Sequence, residues 1–191
     1  MQAFRVKAGM RVFNSEGLGS MGFGIPGAIG GCIASGNKRT ISIDGDGGFV
    51  MNMQELEIVR RLNLPIKFFV LNNGGYVSIQ NTQKQYFNGN YVASSAASGL
   101  TLPDIPSVAG VFGIPTARLE NHGRIRKHIK EILQKEGPVV CEVMVSPEQV
   151  TAPRVSSRQL KDGSMESLPM EDLWPFLDRE EFELNMFKNI V

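Results

Sequence analysis

Apolar and polar positions along this chain follow two periods, and the places where one gives way to the other locate its elements. Residues 40–43 form a short β-branched run that stops at Asp44-Gly45-Asp46-Gly47-Gly48, which predicts a buried strand closed by a glycine turn. Between 52 and 63 apolar residues recur at Met53, Leu56, Val59 and Leu62, one face of a helix, and Asn52 with Glu55 three residues on resembles a capping pair. Pro65 restarts the chain. Residues 66–71 are apolar apart from Lys67 and end in Asn72-Asn73-Gly74-Gly75, a second buried strand that stops at a polar loop.

The alternation then repeats. Residues 104–112 predict a helix closed by Gly113, residues 116–119 a short strand, and residues 121–136 a helix capped by Asn121 with Ile125, Ile129, Ile132 and Leu133 on one face. Gly137-Pro138 ends that helix and residues 139–145 form another strand. Upstream, the small-residue-rich stretch 22–35 predicts a tightly packed helix beginning near Pro26. Strands that are apolar along their length and alternate with amphipathic helices call for a mostly parallel sheet covered on both faces, a three-layer α/β/α fold. From Ser146 onward Pro147, Pro153, Pro169 and Pro175 break up any long element. The expected organisation is one domain over 1–150, followed over 151–191 by an extended tail with a short acidic helix near 178–187.

Composition narrows the classes. A chain of 191 residues with 42% hydrophobic and 20% charged residues suits one globular domain or one with an appendage. A formal net charge of +1 offers no field of one sign for nucleic acid or an acidic membrane surface. No apolar run reaches the ~18–20 residues that span a bilayer, and residues 1–10 lack the apolar core of a signal peptide. Cys32 and Cys141 sit in hydrophobic stretches, as buried reduced thiols of a cytoplasmic protein do. His122 and His128 lie in a basic helical segment and read as surface residues, as do Arg124, Arg126, Lys127 and Lys130.

The candidate chemistry lies where strands end, because ligands of parallel α/β sheets bind outside the carboxyl ends of the strands. Asp46 and Asn73 each follow such a strand, with one helix between them, and a right-handed crossover sets the two ends side by side or nearly so. A carboxylate, an amide oxygen and a backbone carbonyl are hard donors suited to Mg²⁺ or Ca²⁺. Gly45, Gly47 and Gly48 let backbone N–H groups approach phosphate oxygens without a Cβ in the way. These residues suggest a site for Mg²⁺ and a diphosphate.

Gly45-Asp46-Gly47, a helix, and then Asn72-Asn73 after an apolar strand resemble the signature of thiamine diphosphate-dependent enzymes. The segment 17–26, Gly-Leu-Gly-Ser-Met-Gly-Phe-Gly-Ile-Pro, resembles the matching stretch of acetolactate synthases, and the similarity continues through 138–145. The resemblance implies that Asp46, the Asn73 side chain and the Gly75 carbonyl bind Mg²⁺, and that Gly47 and Gly48 touch the diphosphate. It implies that the Gly19 carbonyl accepts from the aminopyrimidine, and that Met21 wedges between the two rings. Tyr76 is placed at the rim of the site, although a packing role fits it equally. The substrate class implied is a 2-oxo acid, with decarboxylation and carboligation as the chemistry. A 2-oxo acid decarboxylase of the same family and a non-catalytic cofactor-binding module are the alternatives.

No catalytic side chain is expected in this chain itself. In the family the activating glutamate lies on a pyrimidine-binding domain of the same or a partner chain, usually within a homo-oligomer. The chain begins too close to its first motif to hold that domain, so the expectation is a piece of a longer enzyme or one chain of a split enzyme, inactive alone. Two positions depart from the acetolactate synthase pattern. Thr82 stands where a tryptophan is usual, and Ile79 where some decarboxylases carry a glutamate. Two further readings compete. Gly17-x-Gly19-x-x-Gly22 with Asp44 matches a dinucleotide fingerprint, but residues 11–16 do not supply its leading strand. Asp44-x-Asp46 could serve a phosphotransferase, but that leaves Asn72-Asn73 and Met21 without a role. Asp44 alone reads as a structural strand-end residue.

Overall fold

The computed structural model describes residues 4–15, 17–149, 152–160 and 162–186. They divide into two compact units, 1–147 and 148–191.

The first unit is built on four strands, β1 (Thr40–Gly45), β2 (Ile66–Asn72), β3 (Thr116–Leu119) and β4 (Val139–Met144). They pair in the order β1-β2-β4-β3, and every pairing is parallel. Six helices accompany the strands: α1 (Gly24–Ala34), α2 (Asp46–Met51), α3 (Leu56–Arg61), α4 (Val77–Tyr86), α5 (Ile105–Val111) and α6 (Ile125–Gln134). One face of the sheet presents Ile66, Phe68, Val70 and Val140 to α1, α2, α3 and α5, with Ile25, Cys32, Phe49, Leu56, Val59 and Ala109 in the same core. The other face packs Phe69, Cys141, Val143 and Ala117 against Ile125, Ile129 and Ile132 of α6. The result is the three-layer α/β/α arrangement expected from the apolar strands. The second layer does not reach β1, where Ile41 and Ile43 remain 46% and 63% exposed.

Several local expectations are corrected. The helix expected over 52–63 is two short helices. The chain turns helical at Asp46, breaks at Asn52 (φ −130°), passes through a 3₁₀ turn over 53–55 and ends at Arg61. Asn52 caps nothing with its side chain, because its amide donates instead to the Gly22 carbonyl at 2.8 Å. Asn121 does not cap α6 either. Its Oδ1 accepts from the Gly123 N–H at 2.8 Å in a local turn, and the helix starts only after Arg124, whose φ is +56°. Helix α4 was not expected, since its sequence is polar and it buries no residue. α5 follows its pattern: Asp104 accepts from the Ser107 N–H, and Gly113 (φ +68°) follows the helix end.

Lys67 interrupts an apolar strand and is fully buried. Its ammonium donates to the Lys135 carbonyl at 2.7 Å and to the Gly137 carbonyl. These carbonyls follow the C-terminus of α6, where helix carbonyls lack intrahelical donors and the dipole favours a cation. Burial pushes the Lys67 ammonium below its ordinary pKa, with Arg39 and Lys135 adding to the effect.

The second unit is not simply extended. It contains two antiparallel pairs, β5 (Arg154–Val155) with β8 (Leu173–Trp174) and β6 (Ser157–Gln159) with β7 (Met165–Ser167), followed by α7 (Arg179–Asn185) capped by Asp178. Arg179 forms a two-pronged ion pair with Asp172 at 2.8 and 3.0 Å and lies over the rings of Phe176 and Phe182. The last residues of the expected helix, from 187, lie outside the described residues. Among the described residues, no helix is long and apolar enough to cross a membrane.

Lys67→Met keeps the apolar stem but leaves two carbonyls without their donor. It is expected to cost about 1–3 kcal/mol. Urea denaturation should show a lower midpoint at an unchanged slope.

Candidate functional site

β1 and β2 run side by side with Gly45 opposite Leu71, so the residues after both strands leave the sheet at the same height. Asp46 is the first residue of α2 and only 2% exposed. Phe49, one turn on, packs edge-to-face on Phe68 of β2 at 5.8 Å, which fixes α2 above the strand.

The Asp46 carboxylate spans both loops. Its Oδ1 accepts from the Gly47 N–H at 2.8 Å, and its Oδ2 accepts from the Gly74 and Gly75 N–H groups, each at 3.0 Å. Burial raises the pKa of this carboxyl, and the three backbone N–H groups oppose the rise without cancelling it. A raised carboxyl pKa means that the folded state holds its proton to higher pH than the unfolded chain. The contribution to stability is therefore present below the ordinary value of 3.8 and is lost as pH rises through the folded value. Ionisation of Asp46 is thus disfavoured by its burial, and a cation beside it would offset that cost.

The Asn73 amide reaches across to the same point. Its end lies 2.9 Å from the Gly75 carbonyl oxygen and 3.2 Å from Asp46 Oδ1. With nitrogen inward, the amide donates to both. With oxygen inward, the amide oxygen stands from the other two oxygens at separations close to the ~2.9 Å edge of an Mg²⁺ octahedron whose bonds are about 2.0–2.1 Å. The donor types of Asp46, Asn73 and Gly75 thus suit a hard divalent cation.

Glycine is demanded at Gly75 by the backbone. Its φ is +142°, and a Cβ there would stand 2.6 Å from the Ser94 carbonyl oxygen. At Gly47 and Gly48 the demand comes from packing. A Cβ on Gly47 would meet the Tyr76 ring at 2.3 Å, and one on Gly48 would meet Asp44 Oδ1 at 2.6 Å. Gly45, by contrast, has open space where its Cβ would be. Tyr76 accordingly packs over Gly47 as a wall of the site, with its N–H donating to the Ser94 carbonyl at 2.9 Å. Asp44 accepts from the Gly45 N–H at 2.8 Å and lies against Gly24 and Gly48, joining the strand end to the start of α1.

The glycine-rich segment before α1 belongs to the other end of α2. Gly19 adopts φ +62°, Met21 is 44% exposed, and Gly22 is tied by its carbonyl to Asn52, just past the end of α2. Six residues of α-helix rise about 9 Å. The fold therefore gathers Asp46, Gly47, Asn73, Gly75 and Tyr76 around one end of α2 and anchors the Gly19–Met21 segment at the other.

Two polar residues near the site, Glu142 and Arg118, lay outside the sequence reading of function, and Asn72 entered it only as part of the motif. Glu142, in the middle of β4, is 1% exposed and accepts from Arg118 Nε at 2.6 Å and from Asn72 Nδ2 at 2.7 Å. Asn72 Oδ1 in turn accepts from the Gly74 N–H at 3.0 Å. A lone acid within the apolar run Val-Val-Cys-Glu-Val-Met was the available signal.

A family model described as the thiamine pyrophosphate enzyme, C-terminal TPP binding domain, matches residues 1–143. Among curated proteins, a probable chloroplastic acetolactate synthase 2 of Oryza sativa subsp. japonica is 37% identical over 150 residues, covering 75% of this chain and 23% of that protein. The chloroplastic acetolactate synthase 1 of Zea mays is 33% identical over 160 residues, covering 82% of this chain and 25% of its own length. The chloroplastic acetolactate synthase of Arabidopsis thaliana is 32% identical over 160 residues, covering 82% and 24%. The chain thus spans about a quarter of the length of these relatives.

Gly75→Ala forces a Cβ against the Ser94 carbonyl in a backbone region that L side chains rarely adopt. A loss of about 1–3 kcal/mol in unfolding free energy is expected, whereas Gly45→Ala, with open space around it, should lose less. Paired denaturation curves of the two variants check this.

Proposed function

The chain belongs to the thiamine pyrophosphate enzymes, in which it corresponds to the C-terminal TPP-binding domain, and from that premise we propose that it grips the diphosphate end of the cofactor through Mg²⁺ in an acetolactate synthase-like enzyme acting on a 2-oxo acid. The observation that carries this reading is the approach of the Asn73 amide to both the Gly75 carbonyl, at 2.9 Å, and Asp46 Oδ1, at 3.2 Å, each about one coordination edge.

The roles of this chain's residues follow from their places. Asp46 supplies the single charged ligand, held ready by three backbone N–H groups. Asn73 and Gly75 complete the protein ligands and leave the remaining positions to phosphate oxygens and water. Gly47 and Gly48 offer their backbone to the diphosphate. Tyr76 walls that end of the site. At the far end of α2, the Gly19 carbonyl accepts from the aminopyrimidine, and the exposed Met21 side chain supports the bend between the rings. When bound, thiamine diphosphate supplies the electron sink for cleaving the bond beside a 2-oxo acid carbonyl.

The acidic groups nearest the metal ligands, Asp44 and Asp46, are both engaged with backbone N–H groups. By resemblance to the family, the glutamate that activates the pyrimidine is placed on a pyrimidine-binding domain of the same or a partner chain, within a homo-oligomer. Ile79 and Thr82 both lie on α4, with Ile79 exposed. An aliphatic group there favours carboligation over simple decarboxylation, and Thr82 marks a second-substrate preference different from that of a tryptophan-bearing enzyme. Buried Cys32 and Cys141, the latter with its thiol pushed up to about 11 by burial, suit a reducing, cytoplasmic setting.

Asp46→Ala is expected to weaken Mg²⁺-dependent binding of thiamine diphosphate by a few kcal/mol, as loss of a charged partner does. Calorimetry returning an unchanged affinity would overturn the ligand assignment. Co-expression with a pyrimidine-binding domain should yield CO₂ from a 2-oxo acid such as pyruvate, and in that assembly Met21→Ala should lower turnover more than cofactor affinity. Tight cofactor binding with no turnover in the assembly would point instead to a non-catalytic module.

A further inference from the structure

We infer that Asn72 and Glu142 are positioning residues for the metal-binding loop: the Glu142 carboxylate fixes which way the Asn72 amide faces, and Asn72 holds the Gly74–Gly75 backbone around Asp46. This inference rests on the reading of Asp46, Asn73 and Gly75 as Mg²⁺ ligands.

Glu142 is 1% exposed and follows three wholly buried residues of β4, where a carboxylate is costly unless both oxygens are satisfied. Both are satisfied, on opposite sides. Oε2 takes the Arg118 guanidinium from β3, and Oε1 takes the Asn72 amide from β2. The three side chains lie on adjacent strands, with Arg118 directly opposite Glu142, and Asn72 opposite Met144 two residues on.

An ionised carboxylate only accepts hydrogen bonds, so it must be met by the nitrogen of the Asn72 amide. That leaves Asn72 Oδ1 with one direction, toward the Gly74 N–H at 3.0 Å. The same N–H is shared with Asp46 Oδ2, also at 3.0 Å, and the next N–H, that of Gly75, reaches Asp46 Oδ2 as well. Two acceptors on one N–H fix the orientation of the peptide that carries it. One residue further along the chain stands the Gly75 carbonyl, which must aim at the cation. Asn72 and Asn73 thus divide the work. One grips the sheet and sets the loop, and the other faces the metal point.

A glutamine at 142 would lose this property, because the donor-only Arg118 guanidinium would hold its oxygen and leave its NH2 toward Asn72, which would then have to turn its own oxygen inward. The pair is buried on one side only, Arg118 being 44% exposed, so the desolvation cost falls on Glu142. The charge at 142 is explained by orientation.

The test uses the full chain and calorimetric binding of thiamine diphosphate at graded Mg²⁺. Asn72→Ala is expected to raise the Mg²⁺ concentration for half-saturation by about tenfold or more, the usual consequence of removing an outer-shell partner of a metal ligand. Glu142→Gln should shift it in the same direction by less. Asp104→Ala is the control. It removes the cap of α5 and the exposed partner of Arg118, and should lower the thermal midpoint while leaving the Mg²⁺ requirement in place. The inference fails if Asn72→Ala and Glu142→Gln, both folded by circular dichroism, stay within about twofold of the unmodified chain, or if Asp104→Ala moves the requirement as far as they do. If the unmodified chain binds thiamine diphosphate without any dependence on Mg²⁺, the ligand assignment beneath the inference falls instead.

Discussion

Everything at the proposed site hangs on one buried carboxylate. Asp46 receives the N–H of Gly47 on its own loop and the N–H groups of Gly74 and Gly75 on the next, so the two loops are joined through two oxygens. The joint is possible because β1 and β2 are adjacent, parallel and in register. A shift of two residues along either strand would move one loop roughly 6–7 Å, well beyond hydrogen-bond reach. The arrangement is not free. Desolvation of Asp46 exceeds the relief given by its three donors, and a divalent cation is the partner that would reverse that balance.

The two other charges buried in the sheet obey the polarity of its edges. At the amino edge, Lys67 meets the carbonyls that follow the C-terminus of α6. Near the carboxyl edge, Glu142 meets the guanidinium of Arg118 and the amide of Asn72. A helix that leads into a parallel strand always delivers its carbonyl end to the amino edge, so a cation is stabilised there and an anion is not. Reversing the two charges would place each against groups of its own sign. The strands thus carry their ionisable residues where the topology already supplies a counterpart.

What was legible in the sequence was local, and what was hidden was not. The apolar runs at 66–71 and 139–145 gave β2 and β4 to within a residue, because a buried strand needs only its own side chains to declare itself. Asp46 and Asn73 were legible because a hard cation restricts the donor types at two strand ends. α2 was missed, since Gly47 and Gly48 depress helix propensity and the helix is held by Phe49 on Phe68, a contact between distant positions. Asn52 and Asn121 looked like caps, but each found a nearer competitor for its amide, the Gly22 carbonyl in one case and the Gly123 N–H in the other. α4 has no buried face to betray it. Glu142 could be seen as an oddity in an apolar run, yet its partners are 24 and 70 residues away, and no local pattern names them.

Two costs coincide within one loop crossing, and their coincidence is informative. Gly75 holds a backbone region closed to other residues, pressed against the Ser94 carbonyl, and Asp46 beside it is a carboxylate whose ionised form the fold disfavours. Selection for stability alone would relax either one. A less strained loop could carry another residue at 75, and an uncharged side chain at 46 would remove the desolvation cost. A backbone that admits only glycine at 75 and a carboxylate disfavoured by burial at 46 thus meet at the place the Asn73 amide also reaches. On the proposed reading of these residues as ligands, a small cation would offset the desolvation of Asp46, whose hydrogen bonds run to backbone groups of both loops.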